Sequence, residues 1–534
     1  MNKLENKRRM DGWFMHNLDK YLDKVIRPQK EHTGGLDYPT DALGEIPLDP
    51  STRIEHHKQT WETKTASRKK LTPEIESKEW LQELKKSQLE FTEEMSEELT
   101  KDITMKELLT SYQGCKGKAA PGSTGIRNTQ WKNAPQRTQT IILDLMNNIY
   151  QTGQIPQEMK NGTIYPIPKD PLLPCTSTNA RPLTMLETGL KILTSCLANR
   201  IQKILKKDPI YSPMQYAFLP GRNIQDPIHL VEEAQAHARR NDKEIHITFL
   251  DLTQAFDRLE FWASDLALQR LKYPKQFTNL IENLNTDSNR KIVTKDGLTT
   301  NWKLQCGVAQ GEVLSPIRFI TLMDMLATWI TKYCNGDNPK NRKIGYKISD
   351  TNPRNKNSQQ NNPPQSNPLI PQIEEEELRI NGLMYCDDIA LITDNFEDMQ
   401  NLIGIVSEFM TTFGIDINTK KSFYTKRKPT TTRNNANIAR EEIKEDLNTG
   451  GTWEGGTKGT WTSNNNQNTK ISIRQEHEAI RYLGIHYALN GDWKYQLTKL
   501  EETLKTCLGK IRQRDLPAEQ LIYLINAIIL PKLT

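Results

Sequence analysis

Apolar and polar positions between residues 245 and 414 follow patterns that predict a strand, a hairpin and a helix. Residues 245–251, IHITFLD, alternate apolar side chains before Asp251, which predicts a strand that runs to an acidic tip. Residues 383–393, LMYCDDIALIT, hold Asp387 and Asp388 between two short apolar runs, which predicts a hairpin with both carboxylates at its turn. Apolar side chains then recur at helical spacing until Gly414, a residue type that commonly ends helices.

Two stretches lack the periodicity of packed structure. Residues 335–377 are rich in Asn, Gln and Pro, and residues 428–470 are similarly polar. Since few apolar side chains are present to offset the entropy of ordering, we expect both stretches to be inserted loops. In the second loop, Trp453 and Trp461 are either chance aromatics, which we favour, or adhesive points for a base or a partner.

The two ends of the chain are predicted to be helical. Residues 1–104 are polar and helix-prone, and their mixed charge runs are typical of solvated helices or of a loosely ordered arm. Apolar periodicity tightens only after about residue 102, so we predict that the core begins there. Residues 493–534 predict two helices joined at Pro517.

Composition limits the class of protein without identifying it. The chain has 534 residues, of which 36% are hydrophobic and 26% charged, enough for two to four domains or subdomains. No signal peptide or membrane-spanning run is visible, and the seven cysteines and nine histidines form neither CxxC nor HExxH pairs. We therefore expect no disulfide framework or zinc site, and a reducing compartment. The net charge of +6 is compatible with a polyanionic partner but does not require one.

Three carboxylates form the most informative constellation. Asp pairs at hairpin tips are common in solvated turns, so Asp387 and Asp388 alone indicate little. If their hairpin pairs with the strand before Asp251, a strand spacing of about 4.8 Å brings three carboxylates to one sheet edge. Like charges at such distances raise one another's pKa unless cations neutralise them. Carboxylate oxygens are the ligands that Mg²⁺ prefers in proteins. Two bound Mg²⁺ ions can together catalyse the in-line displacement of a phosphoryl group.

A second segment, CGVAQGEVLSPIRF, predicts a pinned loop that leads into a buried helix. Ser315 is expected to cap that helix, with Pro316 at its first position. Small residues at Gly307 and Gly311, on either side of Gln310, allow a backbone to approach a ligand closely. In isolation, a tight turn before a core helix explains the segment equally well.

These segments and several others follow one order along the chain. FLDLTQAFDRLE, GVAQGEVLSPIRF and LMYCDDIALIT resemble the first palm motif, the GxPQGxxLSPxLF loop and the FADD hairpin of reverse transcriptases. SEFMTTFGIDINTKKS and RYLGIHY are similar to the helix-turn and YLG hairpin that follow. Upstream, KAAPGSTGI, TIYPIPKD, NARPLTMLETGLKILTSCLANR and QYAFLPGRNIQD resemble the fingers motifs. Over roughly residues 100–534, apart from the two polar loops, the chain therefore resembles a reverse transcriptase of a non-LTR (LINE-like) retrotransposon.

The resemblance implies an α+β fold, the right-hand polymerase with fingers, palm and thumb, in which an antiparallel palm sheet packs on helices. It divides the chain into an N-terminal extension (1–104), fingers with the start of the palm (105–245), the palm with its two loops (246–490) and a thumb, truncated at the chain end (491–534).

The resemblance also implies the site residues. Asp251, Asp387 and Asp388 would be catalytic and, with the Leu252 carbonyl, would hold two Mg²⁺ ions, with Mn²⁺ as a substitute; Asp251 and Asp387 are the most direct ligands. Lys421 is a weaker candidate to protonate the pyrophosphate. The residues that would bind the nucleotide are Lys169 and Arg181 on the triphosphate, Phe256 against the sugar, where it excludes a 2′-hydroxyl, and Gln310 and Gly311 on the base pair.

The sequence departs from the family pattern at several positions. Glu312 follows Gln310-Gly311 where a small or polar residue is usual, and we expect it to add negative charge near the nucleotide. Ser123-Thr124 replaces the Pro-Asp of a fingers signature, and Tyr385-Cys386 replaces Phe-Ala before the Asp pair.

We therefore predict an RNA-directed DNA polymerase that adds dNTPs to a DNA primer on an RNA template, in the nucleus or cytoplasm and away from membranes. The sequence does not specify an oligomeric state. The alternatives are a group II intron-type reverse transcriptase or maturase, which shares the palm motifs, and a non-catalytic RNA-binding remnant of a retroelement. The absence of a recognisable maturase region after the thumb disfavours the first, and the intact carboxylates disfavour the second.

Overall fold

The computed structural model describes residues 35–37, 49–86, 89–114, 120–170, 173–348, 378–429, 446–464, 469–512 and 518–530. Contacts divide the chain into two compact units. One unit is Gly34–Gln475, and the other combines Met1–Thr33 with Glu476–Thr534. All residues of the candidate site lie in the first unit.

The described helices are, in chain order, Pro50–Lys64 (α1), Pro73–Glu76 (α2), Glu79–Leu84 (α3), Glu93–Thr100 (α4), Met105–Gly114 (α5), Asn128–Lys132 (α6), Gln136–Thr152 (α7), Gln157–Lys160 (α8), Thr188–Lys207 (α9), Gln225–Arg240 (α10), Ala255–Arg258 (α11), Phe261–Arg270 (α12), Lys275–Asn285 (α13), Ser315–Cys334 (α14), Phe396–Thr412 (α15), Lys494–Arg512 (α16) and Ala518–Leu524 (α17), the last followed by a π-helical turn at Ile525–Ile529. None of the helices in these ranges combines the length and apolar content needed to cross a bilayer.

The described strands are Gly162–Pro168 (β1), Ala180–Met185 (β2), Ile245–Leu250 (β3), Leu252–Thr253 (β4), Asn289–Thr294 (β5), Gly297–Leu298 (β6), Trp302–Lys303 (β7), Tyr346–Ile348 (β8), Leu378–Ile380 (β9), Gly382–Tyr385 (β10), Asp388–Thr393 (β11), Asp416–Ile417 (β12), Phe423–Arg427 (β13), Gly451–Glu454 (β14), Thr460–Ser463 (β15), Ser472–Ile473 (β16), Ile480–Tyr482 (β17) and Ile485–Tyr487 (β18). The described chain thus mixes helices and sheets, as predicted.

The predicted strand IHITFL is the centre of a five-stranded sheet with the order β10-β11-β3-β13-β16. Its pairings are antiparallel except for β13 with β16. All six residues of β3 are buried. Two of them are polar; His246 satisfies one ring nitrogen with the Tyr424 hydroxyl at 2.7 Å. Paired strands on both sides and packed helices therefore bury the strand that leads to Asp251.

A second sheet, β2-β1-β5-β6 with β7 beside β5, begins with an antiparallel β1–β2 hairpin. Helices α14 and α15 pack on one another, and α15 also packs on β3 and β11. Helix α15 ends at Thr412 and is followed by Gly414 at φ +75°, which confirms the predicted helix end.

The N-terminal helices contribute to the core, contrary to the expectation of solvated helices or a loose arm and of a core that begins near residue 102. Trp61 on α1 and Trp80 on α3 are each 2% exposed. The Trp80 ring stacks on Trp329 of α14, with centroids 4.5 Å apart. A few large aromatic side chains anchor these helices. Because most of their other positions are polar, the sequence shows no apolar periodicity that would predict a buried face. The described part of residues 1–104 is therefore integral to the first unit.

The two predicted loops also contain packed structure. Between residues 335 and 348, Ile344 and Tyr346 are buried, and β8 pairs with β9; residues 349–377 lie outside the described residues. In the second stretch, β14 and β15 form a hairpin in which Trp453 pairs with Trp461. Trp453 meets the Trp329 ring edge-on at 5.3 Å. Both tryptophans pack on the unit, so the favoured interpretation as chance loop aromatics was wrong.

Candidate active site

The pairing of β3 with β11 places two of the predicted carboxylates side by side. Ile389 pairs with Leu250, so Asp388 and Asp251 occupy the next positions on the neighbouring antiparallel strands. Such opposed residues point to the same face of a sheet, about 5 Å apart. Asp387 precedes Asp388 directly. The sheet register thus brings the three carboxylates to one edge.

The hairpin turn differs from the prediction by one residue. Tyr385 pairs with Asp388, so the turn consists of Cys386 and Asp387, and Asp388 begins β11. Cys386 has φ +61°, in the left-handed region that residues other than glycine rarely adopt. Its amide donates to the side-chain oxygen of Gln215 at 3.0 Å.

A later turn holds the backbone of Asp251. Its amide donates to the Ser422 hydroxyl at 3.1 Å, and its carbonyl accepts from the Asn418 amide at 2.8 Å. The Ser422 hydroxyl in turn donates to the Asn418 carbonyl at 2.8 Å. Sequence reasoning noted Asn418 and Ser422 only as part of a resembling motif. The structure shows that this turn fixes where β3 ends.

Burial raises the pKa of Asp387, and the neighbouring Asp251 carboxylate raises it further, against lowering hydrogen bonds from its own backbone and from Cys386. Among the described residues, no three or more His, Cys, Asp and Glu side chains form a ready-made metal cage. Mg²⁺ commonly takes only one or two protein carboxylates and completes its shell with water and substrate phosphates. A half-buried carboxylate whose charged form is destabilised by its neighbour fits such a cation, because the cation offsets the repulsion.

The two remaining residues predicted close to Asp251 also lie near the end of β3. Leu252 begins β4 and pairs with Ile417. Phe256, on the short helix α11, stacks on Phe319 of α14 with ring centroids 5.0 Å apart. The Phe256 ring is only partly buried, so one portion packs on the core while another remains accessible.

The Gln310 loop bonds to helix α11 and to strand β2 of the second sheet. On one side, the Val308 amide donates to the Phe256 carbonyl at 2.9 Å. On the other, the Gln310 carbonyl accepts from the Thr184 amide of β2 at 2.9 Å. Gly311 has φ +111°, and a Cβ there would lie 3.2 Å from the Thr184 carbonyl oxygen, so both conformation and space favour glycine.

The two predicted fingers cations lie on the β1–β2 hairpin. Arg181 pairs with Ile167, and the amide of Lys169 donates to the Asn179 carbonyl at 2.6 Å, so the two basic residues are diagonal neighbours across the hairpin. Both side chains are exposed. The Lys169 ammonium donates to the Thr178 carbonyl at 3.1 Å. The Gln310 loop is attached to the same strand as Arg181.

Lys421 lies in the turn between Asn418 and Ser422, and its side chain is exposed. Its amide donates to the Asn418 carbonyl at 3.0 Å. The structure therefore places it near the end of β3, and its role as a general acid stays a prediction.

Glu312 has a structural role, whereas the sequence led us to expect a charge facing the nucleotide. It is 5% exposed and accepts hydrogen bonds from the Leu314 amide and the Ser315 hydroxyl, both at 2.8 Å. The prediction that Ser315 caps helix α14 was wrong, because the helix begins at Ser315 itself. The Glu312 side chain instead satisfies donors at the start of the helix. Burial raises the pKa of Glu312, partly offset by these bonds and by Arg318.

Glu187 is a residue that sequence reasoning missed. It is 4% exposed, and its carboxylate accepts from the Ser123 hydroxyl at 2.8 Å and from the Thr124 amide and hydroxyl at 2.8 and 2.6 Å. The Ser-Thr pair that departs from the family signature therefore supplies donors to Glu187. The departure at these two positions was visible in sequence, but their partner was not.

The family model for reverse transcriptase (RNA-dependent DNA polymerase) matches residues 167–487, more than half of the chain. This range contains every predicted site residue.

Individual relatives of the chain are proteins of retrotransposable elements. The chain is 23% identical, over 57% of its length, to the Retrovirus-related Pol polyprotein from type-2 retrotransposable element R2DM of Drosophila melanogaster, and covers 25% of that protein. It is 30% identical over 40% of its length to a type-1 element R2 polyprotein of Nasonia vitripennis, of which it covers 20%. A type-1 R2 polyprotein of Popillia japonica is 24% identical over 81% of this chain, which covers 51% of it. The chain thus spans between a fifth and about half of these relatives.

With the carboxylates at one sheet edge and these similarities combined, the chain belongs to the reverse transcriptase family, in the group found in non-LTR, LINE-like retrotransposons.

Proposed function

We propose that this chain is an RNA-directed DNA polymerase that extends a DNA primer on an RNA template with dNTPs. The observation that carries the proposal is the register of β3 and β11, which sets Asp251 beside Asp388 and next to the Asp387 turn. Closely spaced carboxylates that can hold divalent cations are what two-metal nucleotidyl transfer requires.

The fold suggests which part of the chain does what. We assign the five-stranded sheet with α14 and α15 to the palm, and the β1–β2 hairpin with its sheet to the fingers. The helix α16, on the unit after Gln475, is assigned to the thumb. In this assignment the Gln310 loop is the joint between fingers and palm, because its backbone bonds to both Thr184 and Phe256.

The chain's own residues would divide the work as follows. Asp251 and Asp387 would hold Mg²⁺, with Asp388 and the Leu252 carbonyl completing the protein side of the site. Lys169 and Arg181 would bind the triphosphate oxygens, for which a planar guanidinium is well suited. Gln310 and Gly311 would contact the base pair. Phe256 would lie against the sugar and exclude a 2′-hydroxyl.

Bound Mg²⁺ would supply activation of the primer hydroxyl and neutralisation of charge on the phosphates, and Mn²⁺ would substitute for it on the same oxygen ligands. Attack of the primer 3′-oxygen on the α-phosphorus would form one P–O bond and break another, releasing pyrophosphate. Lys421 is the residue proposed to donate a proton to that leaving group.

The test is primer extension on an RNA template with dNTPs and Mg²⁺. We expect wild type to extend the primer, Asp387→Asn to lose extension, and Phe256→Ala to gain use of ribonucleotides while Phe256→Tyr keeps the preference for dNTPs. A folded wild type that binds RNA but does not extend would contradict the proposal and favour the non-catalytic remnant.

A further inference from the structure

A short segment before α10 lies against the catalytic hairpin. The Met384 amide donates to the Met214 carbonyl at 2.8 Å, and the Tyr216 amide donates to the Met384 carbonyl at 2.8 Å. Residue 215 therefore faces β10 as part of a one-bridge parallel pairing. The edge of the palm sheet is covered at the point where the hairpin turns.

The side chain of Gln215 reaches from this segment to the turn itself. It is fully buried, and its Oε1 accepts from the Cys386 amide at 3.0 Å and from the Ala217 amide at 3.0 Å. Cys386 is the residue with φ +61°. Because a side chain with a Cβ rarely adopts this conformation, the surrounding contacts must hold it there. The bond from Gln215 is one such contact, one residue before Asp387.

The segment is itself braced from two directions. The Arg222 guanidinium donates to the Pro213 carbonyl at 2.6 Å and to the Gln215 carbonyl at 2.9 Å. The Ser212 amide donates to Asp324 of α14 at 2.7 Å, and Asp324 forms a buried ion pair with Arg270 at 2.7 Å. The Gln215 oxygen is therefore held by the backbone of a fixed segment rather than by a mobile loop.

We infer that Gln215 is a positioning residue for the catalytic hairpin. Its side-chain oxygen fixes the Cys386–Asp387 turn, and through that turn it sets the position of the Asp387 carboxylate relative to Asp251. The inference rests on the proposed polymerase function for its consequence in catalysis, although the clamp itself is a property of the fold. Misplacement of a reacting group by about 1 Å can reduce a rate about 100-fold.

The oxygen, and not the nitrogen, carries this role. Within the described residues, Nε2 of Gln215 is buried without a hydrogen-bond partner. Gln215→Glu keeps an oxygen that can accept both amides, whereas Gln215→Met keeps the length of the side chain and removes the acceptor. Asn147 supplies a matched control, because its Oδ1 accepts from the Ile103 amide at 2.6 Å, away from the hairpin.

The experiment compares wild type, Gln215→Met, Gln215→Glu and Asn147→Leu in the full chain. We measure the extension rate, the KM for dNTP, the Mg²⁺ concentration at half-maximal rate, and the melting temperature. We expect Gln215→Met to lower the rate about 100-fold and to raise the Mg²⁺ midpoint, with little change in KM for dNTP. Gln215→Glu should recover most of the rate. Asn147→Leu should lower the melting temperature with the rate and Mg²⁺ midpoint of wild type.

A second readout does not depend on activity. The Cys386 thiol is 5% exposed, and its labelling by a thiol reagent, located by mass spectrometry, reports opening of the turn. We expect labelling at Cys386 to accelerate several-fold in Gln215→Met and not in Asn147→Leu. A Gln215→Met variant with wild-type labelling, or with wild-type rate and Mg²⁺ midpoint, would overturn the inference. Failure of wild type to extend the primer would instead contradict the proposed function. The labelling rate alone would then show whether Gln215 holds the Cys386–Asp387 turn in place.

Discussion

Asp387 combines two properties that oppose one another, a raised pKa and a proposed need for negative charge. Because burial and Asp251 raise its folded pKa above the ordinary value of 3.8, the folded state binds this proton more tightly than the unfolded chain. The stabilisation that comes from this bound proton is fully present at pH values below the pKa of the unfolded state. It is lost as the pH rises through the pKa of the folded state. At neutral pH the ionised carboxylate therefore destabilises the metal-free protein.

We predict that Asp387→Asn raises the melting temperature of the metal-free protein at neutral pH while abolishing extension, since the amide removes the charge but keeps the shape. Thermal unfolding with and without Mg²⁺ checks this. Mg²⁺ should stabilise wild type and should have a much smaller effect on the variant. A lower melting temperature for metal-free Asp387→Asn would show that the carboxylate is not under repulsion.

Glu312 gives a second residue-level prediction, concerning stability. Glu312→Ala leaves the Leu314 amide without its acceptor, while the Ser315 hydroxyl keeps the Ala309 carbonyl at 3.0 Å, so the change should cost about 1–3 kcal/mol in the free energy of unfolding. Glu312→Gln keeps an acceptor oxygen and should cost less. Chemical denaturation measures both, and the KM for dNTP of Glu312→Gln should equal that of wild type. A lowered KM in that variant would restore the original expectation of a charge near the nucleotide.

The side chains proposed for chemistry were predictable from the sequence, but those that hold them in place were not. The sequence motifs suggested Asp251, Asp387 and Asp388, because carboxylates at predicted strand ends and the family resemblance both point to these positions. Ser422 and Gln215 act through hydrogen bonds to the backbone of distant residues, 171 positions away in each case. Such bonds depend on sheet register and leave no local pattern in the sequence.

At the scale of elements, helix α15 and the β14–β15 hairpin meet at Gly404. A Cβ at Gly404 would lie 2.4 Å from Cγ of Trp461, an atom of the ring base that cannot swing aside. In an ordinary helix interior, Gly→Ala gains about 0.5–1 kcal/mol. Here the close approach of the ring opposes that gain.

We predict that Gly404→Ala destabilises the protein by about 1–3 kcal/mol, the usual cost of overpacking. In a Trp461→Ala background, the same Gly404→Ala change should instead stabilise by about 0.5–1 kcal/mol, because only helix propensity remains. Denaturant unfolding of the four proteins forms a double-mutant cycle. Additive effects in that cycle would mean that the hairpin does not pack on α15.

The elements that sequence reasoning misjudged share a cause. Helix α1 buries only His57 and Trp61 along 15 residues, and the β14–β15 hairpin contributes mainly two tryptophans. Periodicity arguments need several apolar positions per element, so single large anchors pass unnoticed. Strand β3 and helix α15, each with several apolar residues at regular spacing, were predicted correctly for the same reason.

For the whole molecule, the net charge of +6 comes from 72 basic and 66 acidic residues, so binding to nucleic acid depends on where charges lie. We predict that affinity for an RNA–DNA hybrid falls linearly with salt on logarithmic axes, each phosphate contact adding about 0.7–0.9 to the slope. The double variant Lys169→Ala/Arg181→Ala should raise the KM for dNTP and leave that slope unchanged, because these residues are assigned to the triphosphate. Filter binding at several salt concentrations checks the slope. A shallower slope in the double variant would reassign the two cations to the template or primer.

The central position of β3 also has a consequence for synthesis of the protein. Its partners β11 and β13 both follow it far along the chain, since Leu250 pairs with Ile389, 139 positions later. At ribosomal rates of about 5–20 residues per second, this apolar strand leaves the ribosome about 7–30 seconds before either neighbour exists. During that interval both of its hydrogen-bonding edges are open to other nascent chains. The strand that ends in Asp251 is thus the segment through which a chaperone would most affect yield, and slowed translation between residues 250 and 389 would increase aggregation.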